Sequence, residues 1–278
     1  MPAFLIFSVF YIYPFFYTLF LSFFKGDAIS YLEFVGFNNF KEILLYDKAW
    51  WRSMYNAGFI TFWALTFQNI LAFLLALGVD KAVRTQKFYR VVFFLLPILS
   101  EIIIGLLMRI FLLSDPGVLN HLLERLHLDF LKRDWLAPQS ALLSCALVHC
   151  WKGFGWAFVI ILAGLQSIPE ELYEAARVDG ANAFQSFLKI TLPLMIPVFT
   201  LVVILTILGT MQAFAMILAL TRGTGGLTEV PVMRIYNHLR TGQTCYACSE
   251  GVVLGLILVI VAFGMLKFSK FARQKYGL

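Results

Sequence analysis

Six long apolar runs, broken by polar intervals, set the pattern of this chain. They cover about residues 1–24, 57–79, 91–113, 141–167, 194–220 and 248–267. A helix rises about 1.5 Å per residue, so about 20 apolar residues cross a hydrocarbon core of about 30 Å. The runs therefore predict six transmembrane helices in a single domain over residues 1–278, an all-α membrane protein. No run shows the strict alternation that a barrel strand needs, and backbone groups in lipid must then be satisfied within helices. Pro14 predicts a kink in the first span. Pro197 falls in the first turn of the fifth, where a missing N–H costs least. The first run lacks a basic start and a small-residue cleavage site, so it reads as a span and not as a cleaved leader.

The composition agrees. Charged residues make up 14% of the chain, against roughly a quarter in soluble domains. The net charge of +6 is spread beside the apolar runs, which argues against a nucleic-acid partner and for membrane lipid. Six spans put both termini on one face. Lys and Arg divide ten to ten between the two faces. The side holding the termini packs its ten into shorter segments at helix ends, and this favours cytoplasmic termini. Cys145 and Cys150 lie in an apolar run and read as small packing residues. Cys245 and Cys248 form a lone CxxC without clustered histidines, so no metal site is expected, although a local disulfide stays open in an oxidising compartment.

Three charges fall inside spans: Glu101, Arg109 and Lys152. Arg109 is about one turn from a helix end and can reach the headgroups. Glu101 and Lys152 sit near the middle of the third and fourth spans, which run in opposite directions, so their depths nearly coincide. A charge at that depth is costly unless paired or wetted. The two form either a structural ion pair or part of a hydrated solute path. His149 reads as a hydrogen-bonded packing residue.

Between the fourth and fifth runs lies the long polar interval 168–193. Ser167 reads as a helix cap, with Pro169, Glu170 and Glu171 in the first turn. Leu172, Ala175, Ala176 and Val178 give a small apolar face. Gly180 ends that helix, and Phe184 to Ile190 begins another that stops before Leu192-Pro193. The product is a helix-turn-helix too polar to insert, with a face that admits close approach of a partner. A second polar segment, around Arg234 and His238, reads as a short amphipathic helix.

The order Glu174-Ala175-Ala176, three residues, Gly180, nine residues, Ile190, one residue, Leu192-Pro193 resembles the EAA loop of membrane subunits of bacterial ABC importers. FVGFNNF, the LLP at Leu95 to Pro97, SDPGVLN, Trp151-Lys152-Gly153 and LAGLQSIPEELYEAARVDGA extend the likeness over nearly the whole chain, to the carbohydrate branch with its maltose-type and glycerol-phosphate-type permeases. The resemblance implies a type I ABC importer transmembrane domain in the bacterial inner membrane, working by alternating access. It implies a coupling helix carrying Glu174, Ala175, Ala176 and Gly180, with Asp179 and Pro193 beside them. It further implies a midplane solute path through Lys152, Gly153, Trp156, Thr206, Gly209, Thr210 and Ala213, with Trp156 stacking on a sugar ring. Glu101 joins the path as the mid-membrane charge, at a position where the family usually has a small or apolar residue. Cys245 and Cys248 replace what is commonly a Gly-Tyr-Ala-Ser run.

The chain has no GxxxxGKS/T, so it does not hydrolyse ATP itself and is no enzyme. The resemblance implies ATP and magnesium on two partner ATPase subunits, a second homologous permease, an external solute-binding protein and a carbohydrate solute, neutral or acidic. An ion-coupled secondary transporter is the rival, but no self-similarity between the halves is visible. An intramembrane enzyme would want paired acids, a Ser-Lys pair or a metal set within the spans.

Overall fold

The structure is a computed structural model describing residues 2–275 except 28, 30, 82, 83 and 116; of residue 2 and residues 271–275 only the backbone is described. Met1 of the first expected span, parts of the 80–90 and SDPG turns, and residues 276–278 of the basic tail lie outside the described residues.

Among the described residues, five helices are long and apolar enough to cross a membrane: α1 (Ala3–Leu21), α2 (Lys48–Asp80), α6 (Ala141–Gln166), α8 (Ala183–Met211) and α11 (Thr244–Lys270). The sixth span is a broken pair, α3 (Gln86–Ile98) and α4 (Glu101–Leu112), bent by 91°. This departs from the straight third span expected over 91–113. Leu99 and Ser100 leave helical geometry two residues after Pro97. A proline inside a helix removes a bond and crowds the preceding turn, which weakens the ladder there.

The other boundaries shift for local reasons. α2 begins nine residues before the apolar run, because the Asp47 carboxylate caps it by accepting from the N–H groups of Ala49 and Trp50. α8 also starts early. Asn182 and Gln185 form a reciprocal capping box, and the helix then continues through Leu192-Pro193 instead of stopping before them. A widened π turn at Phe187–Thr191 releases the carbonyls that the Pro193 ring would otherwise meet. The same device, at Ser8–Ile12, precedes Pro14 in α1. α8 ends at Met211, so the expected fifth span is cut short, and Ala215–Thr221 forms a separate short helix, α9, packed on α4.

The remaining described elements include a two-stranded ribbon, β1 (Phe24–Gly26) against antiparallel β2 (Leu32–Phe34), a helical turn at Asn38–Lys41 that widens over Glu42–Tyr46, and the short helices α5 (Val118–Arg125), α7 (Glu170–Val178) and α10 (Pro231–Arg240). α10 is the amphipathic segment expected around Arg234 and His238. Arg234 pairs with Asp47, while its Nε donates to Glu250 at 2.8 Å, and Glu250 also meets His238 Nδ1 at 2.8 Å. Desolvation works against the Arg234 charge, but the carboxylates of Glu250, Asp47 and Glu229 outweigh it and raise its pKa. Asp47 thus both caps α2 and ties it to α10, and Tyr246 on α11 donates to the same carboxylate at 3.0 Å. Cys145 and Cys150 are buried, as expected of packing residues.

A cluster of Ile43, Trp50, Val253, Leu254 and Leu258 ties α11 to the start of α2, and two further apolar clusters hold the central spans together. One, nearer the hairpin 168–193, joins Ala72 and Ala76 of α2, Phe154 to Leu165 of α6, and Met195 and Val202 of α8. The other, toward the opposite end, joins Ala57 and Ile60 of α2, Ile104 and Leu112 of α4, Cys145 to Val148 of α6, and Met216 to Leu220 of α9. α2, α6 and α8 pass from one of these two clusters to the other, and the stretch between them is polar.

Candidate functional site: a mid-span cavity and an exposed hairpin

In that stretch lies a cavity of about 350 Å³ lined by Gln68, Pro97, Glu101, His149, Lys152, Gly153, Trp156, Leu205, Thr206, Gly209 and Thr210. Its size falls in the range of about 300–1,000 Å³ of small-molecule sites. Four spans contribute. The α3–α4 break places Glu101 at the first turn of α4, and Lys152 comes from the middle of α6.

Lys152 Nζ lies 3.5 Å from Glu101 Oε1. The depth argument made from the sequence is therefore met, and its two alternatives merge, since the pair also lines the cavity. The Lys152 side chain is 15% exposed and that of Glu101 45%, so the carboxylate stands at the open side of the bundle. Gly209 and Leu205 are exposed on the same side. The wall of the cavity is thus incomplete within a single chain.

Thr206 and Thr210 also line the cavity, yet both are nearly fully buried and their hydroxyls are already engaged. Thr206 Oγ1 accepts from Asn69 Nδ2 at 3.1 Å, and Thr210 Oγ1 shares a hydrogen bond with Thr61 Oγ1 at 2.7 Å. These bonds run between α2 and α8 as a polar seam. Ala213 is 7% exposed, packs with the apolar cluster away from the hairpin, and is not part of the cavity wall. Arg109 lies near the end of α4, beside Ser114, Asp115 and Asp134, in a separate small polar pocket.

Gln68 and His149 complete the wall. His149 had been read only as a packing residue, and Gln68 had not been singled out. Gln68 is 1% exposed, and its Oε1 has no hydrogen-bond partner. Such an orphan costs about 1–3 kcal/mol. Gly153 is what makes room for it, because a Cβ at Gly153 would stand 2.4 Å from that oxygen. The available signal was Gln68-Asn69 itself, an uncharged polar pair in mid-run.

The second candidate region is the hairpin. α6 ends at Gln166, and Ser167 does not cap the next helix. Its Oγ donates back to Gly164 O at 2.7 Å, and Pro169 takes the cap position without a side-chain bond. Only three residues separate α6 from α7, so Ser167 is still held by the turn behind it. α7 ends at Gly180, whose φ of +79° is the left-handed conformation glycine adopts freely. The Ala181 N–H reaches Ala176 O at 2.9 Å and the Gly180 N–H reaches Arg177 O at 3.1 Å, closing a Schellman motif. Tyr173 Oη bonds Thr191 Oγ1 at 2.9 Å and fastens α7 to the start of α8.

Glu174, Ala175, Asp179 and Gly180 are exposed, Ala176 is half-buried, and Pro193 lies within α8. Glu174 meets Arg177 at 3.9 Å, an exposed pair worth little to stability. Val178 is 87% exposed and Phe184 68%, and Leu172 and Leu188 are exposed on the same hairpin.

The architecture is therefore a six-span helical transport domain with a polar cavity at mid-depth and an apolar-faced hairpin at one end. Residues 68–270 match the family described as binding-protein-dependent transport system inner membrane component. The probable ABC transporter permease protein YurN of Bacillus subtilis is 32% identical over 280 residues, covering 99% of this chain and 95% of the relative. The multiple sugar-binding transport system permease protein MsmF of Streptococcus mutans is 30% identical, covering 94% and 90%. Among solved structures, a bacterial ABC transporter involved in import of the acidic polysaccharide alginate shares the fold with a TM-score of 0.82 at 24% identity, over 97% of this chain and 93% of that one.

The chain belongs to the family of inner membrane components of binding-protein-dependent transport systems. Its fold is that of a type I ABC importer transmembrane domain. Membership decides the class in favour of binding-protein-dependent transport and against an ion-coupled carrier.

Proposed function

We propose that this chain is the permease subunit of an ATP-driven importer that takes up a carbohydrate handed over by an external solute-binding protein. The observation that carries the reading is the polar cavity between two apolar clusters, joined through α8 to an exposed apolar-faced hairpin. The cavity supplies a midplane solute site. Trp156 offers a ring face for a sugar, Lys152 and Glu101 offer a donor and an acceptor, and Gly153 and Gly209 leave room. The sugar-transport name of MsmF supports the substrate class. Because Glu101 pairs with Lys152, the favoured solute is neutral.

The open side of the cavity, where Glu101, Leu205 and Gly209 are exposed, suits closure by a second homologous permease. The hairpin, with Glu174, Ala175, Ala176, Asp179 and Gly180, suits docking in a cleft of an ATPase subunit. Two such subunits hold ATP and magnesium, and the termini of this chain lie on their side, in the cytoplasm. ATP-driven closure of the ATPases moves the hairpin and turns the cavity outward. The binding protein then releases solute into it, and hydrolysis resets the cycle.

The test is reconstitution in vesicles of this chain with its partner permease, ATPases and binding protein. ATP-dependent uptake of a neutral oligosaccharide is expected, with no dependence on an ion gradient. Uptake driven by a sodium or proton gradient without ATP, or a preference for oligouronides over neutral sugars, would sink the mechanism or the substrate class respectively.

A further inference from the structure

The geometry points to Gln68 as a specificity-determining residue of the cavity, its carboxamide oxygen accepting a hydrogen bond from a hydroxyl of the carbohydrate. This rests on the carbohydrate reading of the same cavity. Residues Ala64–Gln68 form a π turn, and no proline follows it to explain the widening, unlike the turns before Pro14 and Pro193. A π turn inserts one residue into the helical repeat and re-aims the side chains beyond it, and such turns recur at functional sites. Here Asn69 faces Thr206 on α8, whereas Gln68 faces α6 and the cavity.

The carboxamide is fixed from one end. Gln68 Nε2 donates to Asn69 Oδ1 at 3.4 Å, and Asn69 is itself held by Thr206. That orientation leaves Oε1 as the free atom, pressed against Gly153 with no donor in reach. The wall hydroxyls of Thr206 and Thr210 are engaged with Asn69 and Thr61, whereas Lys152 and Glu101 keep further donor and acceptor capacity beside their 3.5 Å contact. A carbohydrate presents O–H donors, and an unpaired acceptor in a buried wall discriminates against an analogue that lacks the matching donor. Gly153 acquires a role through this residue. It admits the Gln68 carboxamide instead of touching solute itself.

The experiment uses the intact importer in vesicles, with trehalose, maltotriose and raffinose as probes. Whichever of these the wild type takes up is then compared with its monodeoxy analogues at saturating loaded binding protein. If none is taken up, the carbohydrate reading fails and this inference with it. If one is, the wild type is expected to transport one monodeoxy analogue about fivefold more slowly than the parent, the worth of one neutral hydrogen bond. Q68L should lose that discrimination, slowing the parent to the rate of the analogue. Q68E, which keeps an acceptor, should retain the discrimination. Equal discrimination of every analogue by Q68L and wild type overturns the assignment, and so does joint loss of uptake and stimulated hydrolysis in both variants, which would make Gln68 a structural residue. Should Q68L fail to assemble, Q68N withdraws the oxygen by one methylene and serves in its place.

Discussion

The hairpin and the cavity are built in opposite ways. The hairpin is one contiguous stretch whose side chains mostly face outward, so its chemistry is written in the order in which it is read. The cavity draws single residues from four spans, and what each does depends on which neighbours share its depth. A docking face survives as a linear pattern, whereas a binding wall exists only once helices have been rotated against each other.

The comparison can be broken first at the hairpin. Replacing Ala175 by Trp puts a large side chain on the face meant for close approach. It should abolish solute-stimulated ATP hydrolysis, about a hundredfold or more, while the two permeases still co-purify. Undiminished coupling would remove the assigned role. Gly180→Val tests the same region through the backbone, since holding a β-branched residue at φ +79° costs about 1–2 kcal/mol. Coupling should fall about tenfold with the membrane domain intact.

At the cavity, Lys152→Met leaves Glu101 unpaired at mid-depth. Loss of one partner from a fully buried pair costs about 3–5 kcal/mol. The half-exposed carboxylate lowers that to about 1–3 kcal/mol, readable as a drop in thermal stability of the purified complex. Adding Glu101→Gln should restore most of it; failure to do so would show that the pair is not the cause. Gly153→Ala forces a Cβ against Gln68 Oε1, and overpacking of this kind costs about 1–3 kcal/mol. Uptake should fall several-fold.

The smallest effect is the sharpest discriminator. Thr206→Val removes a hydroxyl that already bonds Asn69. It should cost about 1 kcal/mol of stability and change uptake less than twofold. A tenfold loss of uptake at unchanged stability would return Thr206 to the list of groups that touch solute.

The spans were legible because hydropathy reports burial in lipid directly, and the EAA hairpin because its spacing is local. Glu101 and Lys152 could be matched from depth alone, since opposed helices of known length fix relative height. Depth does not fix rotation. That is why the family resemblance could put Thr206, Thr210 and Ala213 on the path while the partners of the two threonines, and the exclusion of Ala213 from the wall, could not be foreseen. The break after Pro97 was hidden by an apolar run on both sides of it. Its only mark was Ser100-Glu101, a cap-like pair in mid-run. Likewise the early start of α2 rested on one aspartate, Asp47, outside the apolar pattern altogether. Gln68 escaped because its importance lies in an unfilled valence, which no pattern of residue types reports.

One consequence follows from the unbroken course of α8. From its capping box at Asn182 to Met211 it is a single shaft of 29 residues, about 43 Å long. One end is fastened to the hairpin by Tyr173 and Thr191, and the far third forms part of the cavity wall at Leu205, Thr206, Gly209 and Thr210. A tilt of only about 5° at the hairpin end would sweep Gly209 sideways by about 3 Å over that length, comparable to the reach of a hydrogen bond. In the coupling proposed above, a movement of the hairpin would reach the cavity along α8 itself, with no loop between the two.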